Sequence, residues 1–306
     1  MSNNSAVRGV WSPVVTPFTA SLEPDAERLR AQCQWLLDSN VGLAVFGTNS
    51  EANSLSLGEK RHLLDHLLSA GLPPEKMMPG TGACSLTDTV ELTKAAVSQG
   101  CAGVLMLPPF YYKGVSDEGL FRFYSEVVQK VGDSSLRIFL YHIPQVSNVP
   151  ITYNLIESLL KEYPGIIAGI KDSSGQWDNT KGMLENYQPQ GFEVFPGSET
   201  FLLDALNAGG AGCISATANV NPAAIAHLFE HYQDANAKDL QAQLDTVRGQ
   251  FEGYVMIAGM KAVIAHHKGD ADWVHVRPPL TDLKAGDQKT LVAALDKVGF
   301  SMPGLA

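Results

Sequence analysis

Lys171 follows the apolar run Ile166-Ile167-Ala168-Gly169-Ile170, and Tyr141 lies near the end of another that begins at Leu136. A lysine at the end of a buried strand holds its amine in a confined, poorly solvated place. Desolvation disfavours the ammonium, so the neutral amine becomes available to attack a carbonyl carbon. A neighbouring phenol can carry protons for that attack and for the steps after it. The chemistry this pair suggests is imine formation with a ketone. Each residue also has a plainer use. A lysine can run its ammonium out to solvent along the strand end, and a tyrosine can be a core ring with one hydrogen bond.

Other candidates lie at similar places. Thr48, Asn49 and Ser50 bring hydroxyls, an amide and backbone N–H groups into one short segment, Gly47-Thr48-Asn49-Ser50-Glu51. Such a segment can cradle a carboxylate, or can simply be a polar turn. Glu51 reads as a helix-start or loop-bracing carboxylate, and Tyr111 and Tyr112 as packing or interface rings. The His266-His267 pair has no carboxylate beside it and reads as packed or solvated. Cys33, Cys84, Cys101 and Cys213 form no CxxC or Cys/His cluster, so no zinc site is expected and most of the four read as reduced core residues.

These residues need elements to position them. Eight apolar runs recur along the chain: Gly9–Thr16, Val41–Gly47, Lys76–Gly82, Gly103–Leu107, Leu136–His142, Ile166–Lys171, Phe192–Pro196 and Ala211–Ala216. They are mostly continuous rather than alternating, as strands covered on both faces are. Helical spacing lies between them, over Asp25–Asn40, Ser56–Ala70, Asp88–Gln99, Glu118–Val131, Thr152–Glu162 and Glu199–Ala208. Thr152 and Ser198 look like helix starts, and Gly100 like the residue after a helix end. Eight strand–helix units predict a closed α/β barrel, a (β/α)8 TIM barrel, in which chemistry gathers at the C-terminal strand ends. An open doubly wound sheet would want a glycine-rich phosphate loop after the first strand, and Pro13–Thr19 is not one. Residues 221–306 read as a C-terminal helical extension, with helices over Asn221–His231, Asp239–Lys261 and Gln288–Lys297, in the same domain as a barrel core over residues 1–220.

Composition narrows the function class. The 306 residues carry a net charge of −10, which speaks against a nucleic-acid partner. Met1 to Arg8 is polar without an apolar core, and no run reaches the ~18 apolar residues that span a bilayer, so no membrane partner and a cytoplasmic location are expected.

Taken together, the segments resemble the dihydrodipicolinate synthase / N-acetylneuraminate lyase family. The motifs that carry the likeness are Gly47-Thr48-Asn49-Ser50-Glu51, Tyr111-Tyr112, Tyr141-His142-Ile143-Pro144, Gly169-Ile170-Lys171-Asp172-Ser173 and Ile214-Ser215-Ala216-Thr217-Ala218-Asn219, in that order over nearly the whole chain. The resemblance implies that Lys171 forms a Schiff base with a 2-oxo acid such as pyruvate and that Tyr141 shuttles its protons. It implies that Thr48 and Asn49 hold the acid's carboxylate, that the Ile214 carbonyl lines the pocket, and that Tyr112 is lent to a neighbouring subunit's site. It further implies a homo-tetramer, with no metal and no cofactor beyond the covalent imine on Lys171. Asn49 departs from the threonine usual there and is similar to the 4-hydroxy-2-oxoglutarate aldolase branch, and Ser50 replaces the usual glycine.

Val146 stands where dihydrodipicolinate synthases carry an arginine for a second carboxylate. Losing such a charge-assisted pair costs roughly 1.5–3 kcal/mol, which disfavours that synthase activity. Glu199, Thr200 and Ala216 match only in part the positions that hold the sugar tail in sialic acid lyases. The expected function is therefore a class I lyase or aldolase joining or releasing pyruvate and an aldehyde, with substrates of the 4-hydroxy-2-oxo acid type. The alternatives are a 2-keto-3-deoxy sugar acid dehydratase or deaminase using the same imine, and a non-catalytic 2-oxo acid binding protein. A metal-dependent class II aldolase would need a His/Asp/Glu cluster at strand ends, which the sequence lacks. Gln145, Ser147, Ser174 and Glu199 are candidates for choosing the substrate.

Overall fold

A computed structural model describes residues 6–305. Its strands are β1 (Gly9–Ser12), β2 (Gly42–Leu43), β3 (Val104–Met106), β4 (Ile138–His142), β5 (Ile167–Asp172), β6 (Glu193–Pro196) and β7 (Gly212–Ile214). Seven of the eight expected runs thus contain strands. The exception, Lys76–Gly82, makes a lone bridge from Gly80 to Leu105. Leu105 donates to the Pro79 carbonyl at 2.9 Å and Thr81 donates to the Leu105 carbonyl at 3.0 Å. Pro79 has no N–H to continue a ladder, so pairing stops there.

The described residues fall into two units, one of residues 6–9 with 73–214 and one of residues 10–72 with 215–305. In the first, β3, β4, β5 and β6 form a parallel sheet in that order, with Tyr141 opposite Lys171 and Lys171 opposite Phe195. Every residue of β4 and β5 is buried, as unbroken apolar runs require. One face packs on the helices. Ile138, Leu140, Ile170 and Val194 share a core with Leu120, Tyr124 and Val127 of α4 (Asp117–Val131), Leu155 and Leu159 of α6 (Tyr153–Glu162), and Met183 and Leu184 of α7 (Trp177–Tyr187). Each such side chain contributes roughly 1.5–3 kcal/mol on leaving water. The same unit holds α3 (Leu86–Ser98), α5 (Pro144–Ser147) and α8 (Leu202–Asn207).

On the opposite sheet face the β-strand period of two aligns Phe139, Tyr141, Gly169, Lys171 and Phe195. Gly169 is required there. A Cβ would stand 2.2 Å from the Glu193 carbonyl and 2.9 Å from the Phe139 ring, a ring that meets Phe195 edge-on at 5.9 Å.

In the second unit β1 and β2 pair in parallel, with Trp11 opposite Gly42. Its helices are α1 (Ala26–Asp38), α2 (Leu57–Ser69), α9 (Pro222–Glu230), α10 (Ala237–Gly249), α11 (Met256–Lys268) and α12 (Ala285–Lys297). The buried Asn219 ties this unit together. Its carboxamide accepts from the Val15 N–H at 2.9 Å and donates to the Pro13 carbonyl at 3.1 Å and the Ala216 carbonyl at 2.9 Å.

Thr152 caps its helix as predicted, accepting from the Leu155 N–H at 3.1 Å, and at the head of α2 the structure adds a reciprocal box of Ser56 with Glu59. Two helical expectations are corrected. The helix expected over Asp239–Lys261 is two helices, α10 and α11, broken near Gly253, whose φ of +94° no helix accommodates. α7 was not expected, because Asn179, Thr180 and Gly182 blur its apolar spacing. Of the four cysteines expected to lie mostly in the core, Cys33 and Cys213 are buried, Cys101 is half-buried and Cys84 is exposed.

Candidate functional site

Lys171 and Tyr141 come together. Lys171 Nζ lies 3.3 Å from the Tyr141 hydroxyl and 4.4 Å from the centre of its ring, and both residues are 2% exposed. Adjacent parallel strands in register put them side by side, and the strand period points both away from the helix-packed face. Among the described residues no carboxylate lies within ion-pair distance of Lys171. The amine is thus buried beside a phenol and flanked in register by two aromatic residues, Tyr141 and Phe195. Such a setting suits covalent chemistry at nitrogen with a proton carrier at hand.

The next residues along both strands point the other way. The Asp172 carboxylate accepts from the Thr180 hydroxyl at 2.6 Å, the Asn179 amide at 3.1 Å, the Ser174 hydroxyl at 3.1 Å and the Ser174 N–H at 3.0 Å. His142 Nδ1 accepts from the Ile151 N–H at 3.0 Å. Burial holds His142 below the ordinary imidazole range, with the Asp172 charge pulling it back. These two polar residues brace the strand ends from the helix side.

The remaining candidates are placed as follows. Ile214 is the buried last residue of β7. Tyr112 is 73% exposed and meets Tyr111 edge-on at 5.4 Å, so the structure does not gather it with Lys171. Thr48 and Asn49 belong to the other unit, in a 3-10 turn, Thr48–Ser50, and both are half-buried. Among the described residues the Asn49 carboxamide has no hydrogen-bond partner. Of the residues considered for choosing a substrate, Ser147 and Ser174 spend their hydroxyls within the fold. The Ser147 hydroxyl lies between the Ile143 and Val149 carbonyls at 3.1 Å each, and the Ser174 hydroxyl is held by Asp172. The exposed Gln145 amide donates to the Ser173 carbonyl at 2.6 Å, Val146 is 58% exposed, and Glu199 is buried. His267 packs on Phe300 at 5.6 Å, a packed role as expected.

One residue was missed from sequence. Lys261 is fully buried on α11, paired with the equally buried Glu51. The available signal was its place among Met260, Ala262 and Val263, on a helix with almost no polar face. The loop-bracing reading of Glu51 agrees with this contact.

The described residues contain no group of three His, Cys, Asp or Glu side chains arranged to hold a metal ion, and no helix long and apolar enough to cross a membrane. A model of the dihydrodipicolinate synthetase family matches residues 6–298. A DapA-like lyase of Chloroflexus aurantiacus is 32% identical over 294 residues, covering 95% of this chain and 97% of that one. The crystal structure of dihydrodipicolinate synthase from Agrobacterium tumefaciens matches with a TM-score of 0.86 at 28% identity, over 95% of this chain and 99% of that one. YagE, an E. coli K12 prophage protein of the dihydrodipicolinic acid synthase family solved in complex with pyruvate, matches with a TM-score of 0.87 at 25% identity, over 97% and 100%. The fold is accordingly the (β/α)8 TIM barrel predicted from sequence, α/β in class, with a C-terminal helical extension.

Proposed function

Because the chain belongs to the dihydrodipicolinate synthetase family and is a lyase of that family, we propose that it is a class I aldolase working through an imine between Lys171 and a 2-oxo acid such as pyruvate. The observation that carries this reading is the buried Lys171 amine, without a counter-ion among the described residues and 3.3 Å from the Tyr141 hydroxyl. The pyruvate complex of YagE supports the choice of keto acid.

In the cleavage direction the Lys171 amine adds to C2 of a 4-hydroxy-2-oxo acid. Tyr141 passes a proton to the carbinolamine oxygen, water leaves, and a protonated imine remains. Tyr141 then takes the proton of the C4 hydroxyl. The C3–C4 electron pair flows into the imine, an aldehyde departs, and the enamine of pyruvate is left on Lys171. Protonation at C3 and hydrolysis release pyruvate and the free amine. The imine is the electron sink, so the route needs neither metal nor organic cofactor. Thr48 and Asn49 receive the carboxylate, and the Ile214 carbonyl lines the pocket. In the same reading residues 1–220 are the barrel core and 221–306 its extension. The protein acts in the cytoplasm as a homo-tetramer, with the exposed Tyr112 ring offered to a neighbouring subunit.

The exposed, apolar Val146 supplies no charge for the carboxylate of the synthase's second substrate, which disfavours the synthase reaction. The deciding experiment is borohydride trapping with peptide mass spectrometry, using pyruvate, 4-hydroxy-2-oxoglutarate, N-acetylneuraminate and a 2-keto-3-deoxy sugar acid separately. A pyruvate-sized adduct on Lys171 from one of the longer acids is expected. An adduct of dehydrated size would move the protein to the dehydratases, and no adduct with any acid would end the imine reading.

A further inference from the structure

The turn that carries Thr48 and Asn49 is bounded by two residues in a backbone region that side chains other than glycine seldom occupy. Phe46 has φ +62° and Glu51 has φ +55°. Something must hold the turn in that shape, and four contacts within its own unit do. The Thr16 hydroxyl donates to the Ser50 carbonyl at 2.7 Å, and the Gly47 N–H donates to the Ser50 hydroxyl at 3.1 Å. One oxygen of the buried Glu51 carboxylate takes the Lys261 ammonium, and the other takes the Arg277 N–H at 2.8 Å.

Lys261 is itself fixed from three sides. Besides Glu51 it donates to the His275 carbonyl at 2.8 Å, and its ammonium stands 4.5 Å from the centre of the Phe18 ring. Arg277, whose guanidinium also stands over that ring, is engaged by Glu59 and by the Leu22 and Ser54 carbonyls. Its guanidinium hydrogen bonds go there, with Glu51 acting on it only through space, and the side chain in direct ion-pair contact with Glu51 is Lys261. Leaving one partner of a buried pair alone strands a charge in the core, and the backbone carrying it must move to find water. The backbone next to Glu51 is the turn with Asn49.

We propose that Lys261 and Glu51 are positioning residues whose buried pair fixes the Gly47–Glu51 turn and thereby sets the affinity for the carboxylate of the 2-oxo acid, without touching it. This rests on the reading that Thr48 and Asn49 receive that carboxylate.

The test compares two ketones in the borohydride trap, pyruvate and hydroxyacetone, which lacks the carboxylate. Wild type, Lys261→Met and Glu51→Gln are titrated with each, and the adduct on Lys171 is quantified. Both variants should need at least about tenfold more pyruvate for half-maximal adduct, given the disturbance expected from unpairing a buried charge. Their adduct at saturating pyruvate should be complete, and their hydroxyacetone curves should match wild type. A pair with only a structural role would leave both curves alone or shift them equally, and either result overturns the proposal. Glu51→Gln keeps the shape of the side chain, so it decides by the same rule if Lys261→Met does not fold. Failure of the wild type to give any adduct would instead sink the imine reading, and this proposal with it.

Discussion

Two lysines in this chain are buried to nearly the same degree, and their surroundings are opposite. Lys171, 2% exposed, has a phenol at 3.3 Å and no carboxylate partner among the described residues. Lys261, fully buried, has the Glu51 carboxylate, the His275 carbonyl at 2.8 Å and the Phe18 ring at 4.5 Å. Burial pulls the Lys261 amine down to about 8, while Glu51 pulls it back up. A buried ammonium with a full set of partners is part of the scaffold. In the proposed function, a buried amine left with one weak partner is a group kept for chemistry, at some cost to stability. Under the proposed imine role of Lys171, burial alone does not separate the reactive lysine from the scaffold one, and the missing counter-ion does.

The largest effect that could break this contrast is on turnover. Lys171→Ala should abolish aldol cleavage and adduct formation, and substantial residual activity in a folded variant would remove the ground for treating the two lysines differently. Tyr141→Phe should slow turnover by roughly 10²–10⁴, the usual reach of acid–base catalysis, with the adduct still forming on Lys171. An unchanged rate would mean that the neighbouring phenol is only a packed ring.

Stability should separate the lysines in the reverse order. Lys261→Met strands the Glu51 carboxylate and should cost roughly 3–5 kcal/mol in urea unfolding. Lys171→Met strands nothing and should leave the urea midpoint unchanged or raise it. Equal losses in the two variants would erase the distinction.

The smallest effect concerns the support behind Glu51. Hydrogen bonds from the Arg277 guanidinium, foremost, hold the Glu59 carboxyl down to about 2, against burial acting the other way. Its folded value lies below its ordinary 4.5. Its contribution is therefore complete above about pH 4.5 and is lost as the pH falls toward 2. The melting-temperature gap between wild type and Glu59→Gln should shrink through that window, and a constant gap would show that the charge of Glu59 does not stabilise this corner.

Much of the fold was legible in sequence because parallel strands buried on both faces must be continuously apolar, and because Ser56 and Thr152 announce their helices chemically. The Lys76–Gly82 run misled because apolarity does not reveal that Pro79 lacks the donor a ladder needs. α7 was hidden because its buried face includes Thr180, whose hydroxyl is satisfied by Asp172, a partner eight residues away. Lys171 and Tyr141 could be singled out because each sits at the end of a legible strand.

The sequence by itself determined the parallel α/β pattern, the strand-end lysine and tyrosine, and the polar turn after the second run, since these depend on local spacing. Only the tertiary structure decided that the lysine and tyrosine stand in register 3.3 Å apart, and that Lys171 and Lys261 differ in their partners. The physical reason is range. Apolar periodicity acts over a few residues, whereas Lys261 meets Glu51 across 210 positions of chain, and no local pattern encodes which distant charge a buried amine will find.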